Sequence, residues 1–339
     1  MKRIGILTGG GDSSGINKAI VTIVRALGYR GVETVGIRNG WQGLLEGAWD
    51  TLALEACKGW EYQPGTLLGT ARVNPFTQGK DKQLLAGIEE CKLDGLIAIG
   101  GDDTLSVAEK LSALGFPVVG IPQTIDNDVY GTDRCLGFDT ALHAIAKNVN
   151  AVRNSNAAHA RDMLVEVMGR DTGWLAVFSS ILVGADYLLC PELDTTIDGL
   201  VSRFQARKKA GCPSCLAIVA EGFGLSARGD LEQADVFGNL ELEGVAYWVA
   251  KQVHEKTKQK PRVLVLGYLQ RGGSPTPTDL LLATRFAEGA VSTLLAGQKG
   301  IMMALQRDEV VRVPLAEVVG RKQIVPPQWL ELAKLELGL

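Results

Sequence analysis

Short apolar runs bounded by glycine, proline or polar clusters alternate with segments of helical periodicity along most of this chain. That alternation predicts parallel strands joined by crossover helices, an α/β fold. The first run, Arg3 to Thr8, reads as a strand. After three glycines, Ile16, Ala19, Ile20, Ile23, Val24 and Leu27 recur at helical spacing and mark one buried face, with Asp12 to Ser14 expected to cap the helix. Further strands are predicted at GLIAI from Gly95, PVVGI from Pro117, MLVEV from Met163, LAIVA from Leu216 and RVLVL from Arg262. Helical patterns follow Thr104, Thr140, Leu200, Asn239 and Asp279. Ligands of open α/β sheets sit beyond the carboxyl ends of strands, so the segments after these runs are where chemistry is expected.

Three such segments fall in the first 130 residues. TGGGDSSG, from Thr8 to Gly15, lies between a strand and a helix, where free backbone N–H groups favour an anion such as phosphate. It is not a dinucleotide fingerprint, because Ser14 stands where the third glycine belongs, and not a P-loop, because Ile16 follows Gly15 in place of lysine. A tight structural turn would use the same glycines. GGDDT, from Gly100 to Thr104, repeats the layout with two carboxylates that would repel phosphate unless a hard cation such as Mg2+ sits between them. The plain alternative is a capped helix start. PQTIDND, from Pro122 to Asp128, offers Asp126 and Asp128 two apart, which an extended chain would point the same way. One could accept a hydroxyl proton while the other assists the metal, although such pairs are also common in turns. Later, VEVMGRDTG around Arg170, with Arg161 before it, and RVLVLGYLQRGGSP, with Arg262, Tyr268 and Arg271, place arginines suited to bidentate phosphate recognition, or to pairing with nearby acids.

Composition narrows the classes. At 339 residues with 46% apolar positions, the chain can bury roughly two domain cores. A net charge of -3 lacks the basic excess that nucleic-acid binding requires. No apolar stretch is long enough for a membrane span or signal peptide, so a cytoplasmic protein is expected. The six scattered cysteines read as reduced thiols, and Cys212-Pro-Ser-Cys215, with no second pair and no nearby histidine, reads as packing or a turn. Arg203, Arg207, Lys208 and Lys209 end at Gly211 as cations at a helix C-terminus, with an anion-effector site the minor alternative.

The order and spacing of GGDDT, PQTIDND, VEVMGRDTG, AEGFG and LGYLQRGGSP closely resemble the phosphofructokinase family, from Lys2 through roughly Ala290. The resemblance implies two lobes, each a mainly parallel sheet flanked by helices: a phosphoryl-donor and Mg-binding lobe of 1–137 plus about 250–300, and a sugar-phosphate lobe of 138–249 plus about 301–339. It implies phosphoryl transfer to the 1-hydroxyl of fructose 6-phosphate, giving fructose 1,6-bisphosphate. Carried over by motif position, Asp126 would be the base, Thr124 would help place the nucleophile, and Gly11 and Arg170 would stabilise the transferring group. Asp102 and Asp128 would serve Mg2+. Gly10, Gly11, Arg72, Asp103, Thr104 and Gln123 would meet the phosphoryl donor. The sugar site would comprise Thr124, Asp126, Met168, Gly169, Arg170, Glu221, Tyr268 and Arg271, with Arg161 and Arg262 from a neighbouring subunit of a homodimer or homotetramer.

The family divides into ATP and pyrophosphate users. ATP users typically have glycine where Asp103 and Val107 stand, leaving room for the α-phosphate and the nucleoside, and many have arginine where Thr77 stands. A carboxylate at Asp103 occupies that volume and repels that charge. Pyrophosphate users typically have lysine where Gln123 stands. Pyrophosphate is the favoured donor and ATP the alternative; a non-catalytic sugar-phosphate sensor is disfavoured because it needs no base.

Overall fold

The computed structural model describes residues 1–224, 233–234, 240–241 and 244–339; Asn239, where a helical pattern was expected to begin, lies outside them. In chain order the elements are β1 (Arg3–Thr8), α1 (Ile16–Tyr29), β2 (Glu33–Ile37), α2 (Trp41–Glu46), β3 (Trp49–Thr51), α3 (Leu54–Cys57), α4 (Asp81–Glu90), β4 (Gly95–Gly100), α5 (Asp102–Ala113), β5 (Val118–Pro122) and α6 (Phe138–Ala158). Then come β6 (Met163–Val167), α7 (Trp174–Val183), β7 (Tyr187–Leu189), α8 (Ile197–Lys209), β8 (Leu216–Ala220), β9 (Gln233–Ala234), β10 (Leu240–Glu241), α9 (Val245–Thr257) and β11 (Arg262–Val265). The chain ends with α10 (Pro277–Leu295), β12 (Ile301–Gln306), β13 (Glu309–Pro314), α11 (Leu315–Val318) and α12 (Pro327–Leu337). All six strands read from the sequence are present; β2, β3, β7 and the β12–β13 hairpin were not foreseen.

The chain divides into two compact units, 1–140 with 271–323, and 141–270 with 324–339. The first is built on a sheet of order β13-β12-β5-β4-β1-β2-β3. Its β2, β1, β4, β5 and β12 run parallel, and β3 and β13 close the two edges antiparallel. The central strands are buried on both faces, which is why they read as continuous apolar runs. Alternate residues serve opposite layers: Ile97 and Ile99 pack with α1 and α10, Leu96 and Ala98 with α2, α4 and α5.

The second unit holds a four-stranded parallel sheet, β11-β6-β8-β7. Leu164, Ala217 and Val219 pack against α8 and α9. The α7 and α12 helices meet through Phe178 and Trp329, whose ring centres lie 4.6 Å apart.

The observed division departs from the expected lobe boundaries. The return to the first unit begins at Arg271, not about 250, because β11 pairs with β6 and keeps 262–265 in the second unit. It lasts to Gln323, not about 300, because β12 pairs with β5 and carries β13 with it.

The cysteines are free thiols, as read. Burial pushes the Cys190 and Cys215 thiols up to about 12, so both are protonated and inert. The basic end of α8 is structural: Arg207 pairs with Asp186 at 2.8 Å and Lys208 with Asp162 at 2.6 Å.

Candidate active site

In the first unit the loops after β1, β4 and β5 share one sheet edge, because these strands are parallel neighbours. Gly15, not Asp12 to Ser14, caps α1, at φ 103° and with no side-chain hydrogen bond. The serines are used for the loop instead. Ser13 donates to the Leu136 carbonyl at 3.3 Å and Ser14 to that of Gly273 at 2.6 Å. Gly10 is held by Thr70, which donates to its carbonyl at 2.6 Å, and its own amide reaches the Ala71 carbonyl, setting the exposed Arg72 next to the loop. Gly11 lies against the Arg271 guanidinium: a Cβ there would come 2.4 Å from Nη1, so any larger residue would have to push that side chain aside. Arg271, expected in the sugar site, therefore belongs with the first glycine loop, where Nη1 also donates to the Asp12 carbonyl at 3.1 Å.

Gln123 was expected to meet the phosphoryl donor, but it is 2% exposed. Its Nε2 donates to the Gly11 carbonyl at 3.0 Å and the Ser13 hydroxyl at 2.9 Å. The amide thus ties the end of β5 to the first glycine loop and has no hydrogen left for a ligand. Thr104 is also buried, with its side chain packed over Gly9 and Gly100. Its hydroxyl shapes the floor of the loops rather than their open side.

Asp102 and Asp103 occupy the first turn of α5, after Gly101, which offers no side-chain cap. The capped-start alternative fails there, and the helix dipole favours both carboxylates. Asp103 is exposed. Burial raises the Asp102 pKa above the usual carboxylate range; Lys322 draws it down, Asp103 pushes it up, the Gly320 amide lowers it and Asp128 raises it.

The segment between Asp126 and Asp128 is a turn, not the extended chain expected. Asn127 sits in the left-handed region at φ 53°, fully buried, donating to the Asp133 carbonyl and accepting from the Cys135 amide at 2.8 Å. Thr124 Oγ1 accepts from the Asp126 amide at 3.2 Å. Asp128, 7% exposed, turns to Lys322, whose Nζ lies 2.6 Å from Oδ2. That lysine lies beyond the recognised motifs and nothing in its local sequence marked it.

The flank of α5 is covered by the chain itself. Val107 is fully buried in a cluster that Val73 and Phe76 help to cover. Asn74 donates to Ser106 at 3.4 Å, and Lys110 lies 5.4 Å from the centre of the Phe76 ring. Thr77 is exposed at the end of this covering segment, its amide held by Asn74.

In the second unit the loops after β6 and β8 are in direct contact. Gly169 donates to Glu221 at 3.3 Å and Met168 to Gln270 at 3.1 Å. A Cβ on Gly222 would lie 2.2 Å from the Arg170 carbonyl, so only glycine lets AEGFG approach MGRD this closely. Arg170 reaches Asp171 at 3.2 Å, and Tyr268 is 82% exposed. Met168, Gly169, Arg170, Glu221 and Tyr268 all follow the carboxyl ends of β6, β8 and β11. Arg161 and Arg262 do not join them. Arg161 precedes β6 and Arg262 opens β11, so both lie at the opposite strand ends, roughly 16 Å away for a five-residue strand. There they line a cleft of about 640 Å³ with Tyr247, Lys251, His254 and Lys260.

The sequence model of the phosphofructokinase family matches residues 3–294. The chain belongs to that family. The pyrophosphate–fructose 6-phosphate 1-phosphotransferase of Amycolatopsis methanolica is 40% identical to it over 344 residues, covering 99% of this chain and 100% of that protein. The ATP-dependent 6-phosphofructokinase of Chloroflexus aurantiacus is 39% identical over 349 residues, covering 100% and 97%. The solved phosphofructokinase of Saccharomyces cerevisiae superposes with a TM-score of 0.79 at 30% identity over 94% of this chain, which spans only 45% of that longer protein. Relatives of both phosphoryl-donor types match nearly the whole chain at 38–40% identity, and the residues at α5 bear on the choice between them. No helix among the described residues is long and apolar enough to cross a membrane.

Proposed function

We propose that this phosphofructokinase moves a phosphoryl group from pyrophosphate to the 1-hydroxyl of fructose 6-phosphate. The observation that carries the choice of pyrophosphate is the start of α5. Asp103 exposes a carboxylate in the first turn of α5, taken here as the path of a longer phosphate chain, and the helix flank beyond it is filled by Val107 under Val73 and Phe76. A like charge against an α-phosphate disfavours ATP, whereas a diphosphate ends before reaching it.

In this reading Asp126 accepts the proton of the sugar 1-hydroxyl. The hydroxyl oxygen forms a bond to phosphorus as the bridging P–O bond of pyrophosphate breaks, and orthophosphate leaves. Thr124 holds the loop that carries Asp126. The Gly11 amide and Arg170 are assigned to the charge that spreads over the transferring group, with Arg271, which lies on Gly11, added to them. Gly10 and Arg72 belong to the pyrophosphate side; Met168, Gly169, Glu221 and Tyr268 belong to the sugar side.

Asp102 and Asp128 offer only oxygen donors on adjoining strand ends, a set that suits a hard cation completing its shell with phosphate oxygens and water. They would hold Mg2+. When bound, the ion supplies positive charge to the diphosphate oxygens.

Arg161 and Arg262 lie at the wrong strand ends to serve the sugar loops of their own unit, which supports their donation to the site of a second copy in a homo-oligomer. Steady-state assays with fructose 6-phosphate, Mg2+ and either pyrophosphate or ATP test the reading. Turnover is expected with pyrophosphate, and Asp103→Gly is expected to gain ATP turnover. Activity of the parent enzyme with ATP alone would overturn the choice.

A further inference from the structure

Asp279 is a fully buried carboxylate with no part in the proposed transfer. It sits three residues after Thr276, which caps α10 by accepting from the Asp279 amide at 3.3 Å. In a capping box the acid would reach back to the Thr276 amide. Here it turns to another helix. Its Oδ1 accepts from the Gly137 amide at 3.0 Å, and its Oδ2 from the Thr140 amide at 2.8 Å and the Thr140 hydroxyl at 2.5 Å, so Asp279 caps the start of α6. Thr140 Oγ1 in turn accepts from the Thr276 amide at 3.1 Å, and the Thr276 hydroxyl donates to Asp139, which pairs with Arg134. Each helix thus satisfies donors in the first turn of the other. Two positive helix ends meet around two carboxylates.

This clasp lies directly behind the first glycine loop. A Cβ on Gly15, the cap of α1, would lie 3.6 Å from Cβ of Asp279, and one on Gly137 would lie 2.2 Å from the Ser13 hydroxyl. The turn 271–276 joins the clasp to the loop and is pinned at three points. The Arg271 guanidinium meets the Asp12 carbonyl at 3.1 Å, Ser14 holds the Gly273 carbonyl at 2.6 Å, and Thr140 holds Thr276. Burial pushes the Asp279 pKa up, against the Thr140 and Gly137 hydrogen bonds that draw it down, so keeping a carboxylate here is costly. A serine or threonine hydroxyl would cap a helix at less cost. What the acid adds is a rigid join between the end of that turn and the residues behind the glycine loop. We propose that Asp279 is a positioning residue for phosphoryl transfer, acting through Thr140 and Thr276 to fix Arg271 against Gly11. The inference rests on the assignment of Arg271 to the charge of the transferring group.

The test is a double-mutant cycle on the full chain, read as kcat and KM with pyrophosphate, fructose 6-phosphate and Mg2+. Asp279→Asn presents an amide to donors where a carboxylate stood, and Thr140→Val removes the middle link while keeping its shape. Each should lower kcat at least about tenfold with both KM values within about threefold of the parent, because a small displacement of a charge-stabilising group is felt in the transition state. Thr140→Ser, which keeps the hydroxyl, should behave as the parent. Arg271→Lys keeps the charge but loses the fork that the clasp aims, so adding Asp279→Asn to it should slow it by less than about twofold more. A merely structural role predicts losses that multiply in the double variant. Multiplied losses, or a kcat within about twofold of the parent in both Asp279→Asn and Thr140→Val, overturn the proposal. Should Asp279→Asn not fold, Thr140→Val carries the same cycle; if neither folds while Thr140→Ser does, the clasp holds the fold rather than the arginine, and the proposal is also overturned. Arg271→Lys separates the two readings. A parental kcat in that variant removes the assignment of Arg271, and the proposal with it, whereas a slow Arg271→Lys with multiplied losses removes only the role of Asp279.

Discussion

The two units hold their candidate residues by different means. In the first, side chains do the work: buried Gln123 and Ser13 tie the first glycine loop to the end of β5, buried Asn127 sets the turn between Asp126 and Asp128, and Lys322 fastens the buried Asp128. In the second, the backbone does it: Gly222 admits the Arg170 carbonyl, and Gly169 donates its amide to Glu221, while Tyr268 and Arg262 stay exposed. The first arrangement preorganises groups whose positions must hold while charge moves. The second is a surface with its arginines divided between two ends of one sheet.

The largest effect expected is on the first side. Asp126→Asn keeps the size of the side chain and its place in the turn but removes the proton acceptor. Its kcat should fall by about 10²- to 10⁴-fold, the range for loss of a positioned general base, with little change in the KM for fructose 6-phosphate. A pre-steady-state assay separates slow chemistry from weak binding. A loss confined to KM would mean that Asp126 only positions the sugar.

The second side is tested by Arg262→Ala. Loss of a charge-assisted hydrogen bond costs about 1.5–3 kcal/mol, so the KM for fructose 6-phosphate should rise roughly 10- to 100-fold with kcat largely kept. The sharper test mixes the two weakened proteins. If Asp126 and Arg262 of one site come from different chains, hybrids of Asp126→Asn and Arg262→Ala contain some sites with both residues intact. Assayed at fructose 6-phosphate far below the raised KM, where Arg262→Ala alone is nearly silent, random re-pairing of dimers should then restore about a quarter of the parent rate. No recovery after mixing, despite hybrid formation shown by native mass spectrometry, would place both residues of a site on one chain.

The sequence made legible whatever is local. Apolar runs gave all six strands they were read as, and glycine and acid motifs located the loops, because strand burial and turn chemistry are written within a few residues. Side-chain direction is not local. Gln123 was placed at the phosphoryl donor by its motif position, yet tertiary packing turns its amide inward. The alternation argument for Asp126 and Asp128 failed because the residue between them adopts a left-handed conformation, which asparagine tolerates and a strand does not contain. Lys322 could not be seen at all: a lone lysine in a C-terminal segment is ordinary, and its meaning arises only when the bridge to Val129 lays it beside Asp128. The lobe boundaries slipped for the same reason, since the pairing of β12 with β5 closes a loop of more than a hundred residues.

The smallest effect expected probes the tethering itself. Gln123→Ala removes the amide that joins β5 to the Gly11 carbonyl and the Ser13 hydroxyl, leaving those buried groups short of a partner. The cost is about 1–3 kcal/mol of stability, read as a lower midpoint in urea unfolding with an unchanged slope. With Gln123 assigned to shaping the loop, kcat/KM for pyrophosphate should fall only several-fold, and the KM for fructose 6-phosphate should stay within about twofold of the parent. A loss of pyrophosphate turnover as deep as that of Asp126→Asn, with stability unchanged, would return Gln123 to the ligand and erase the difference between a side held by buried side chains and a side held by its backbone.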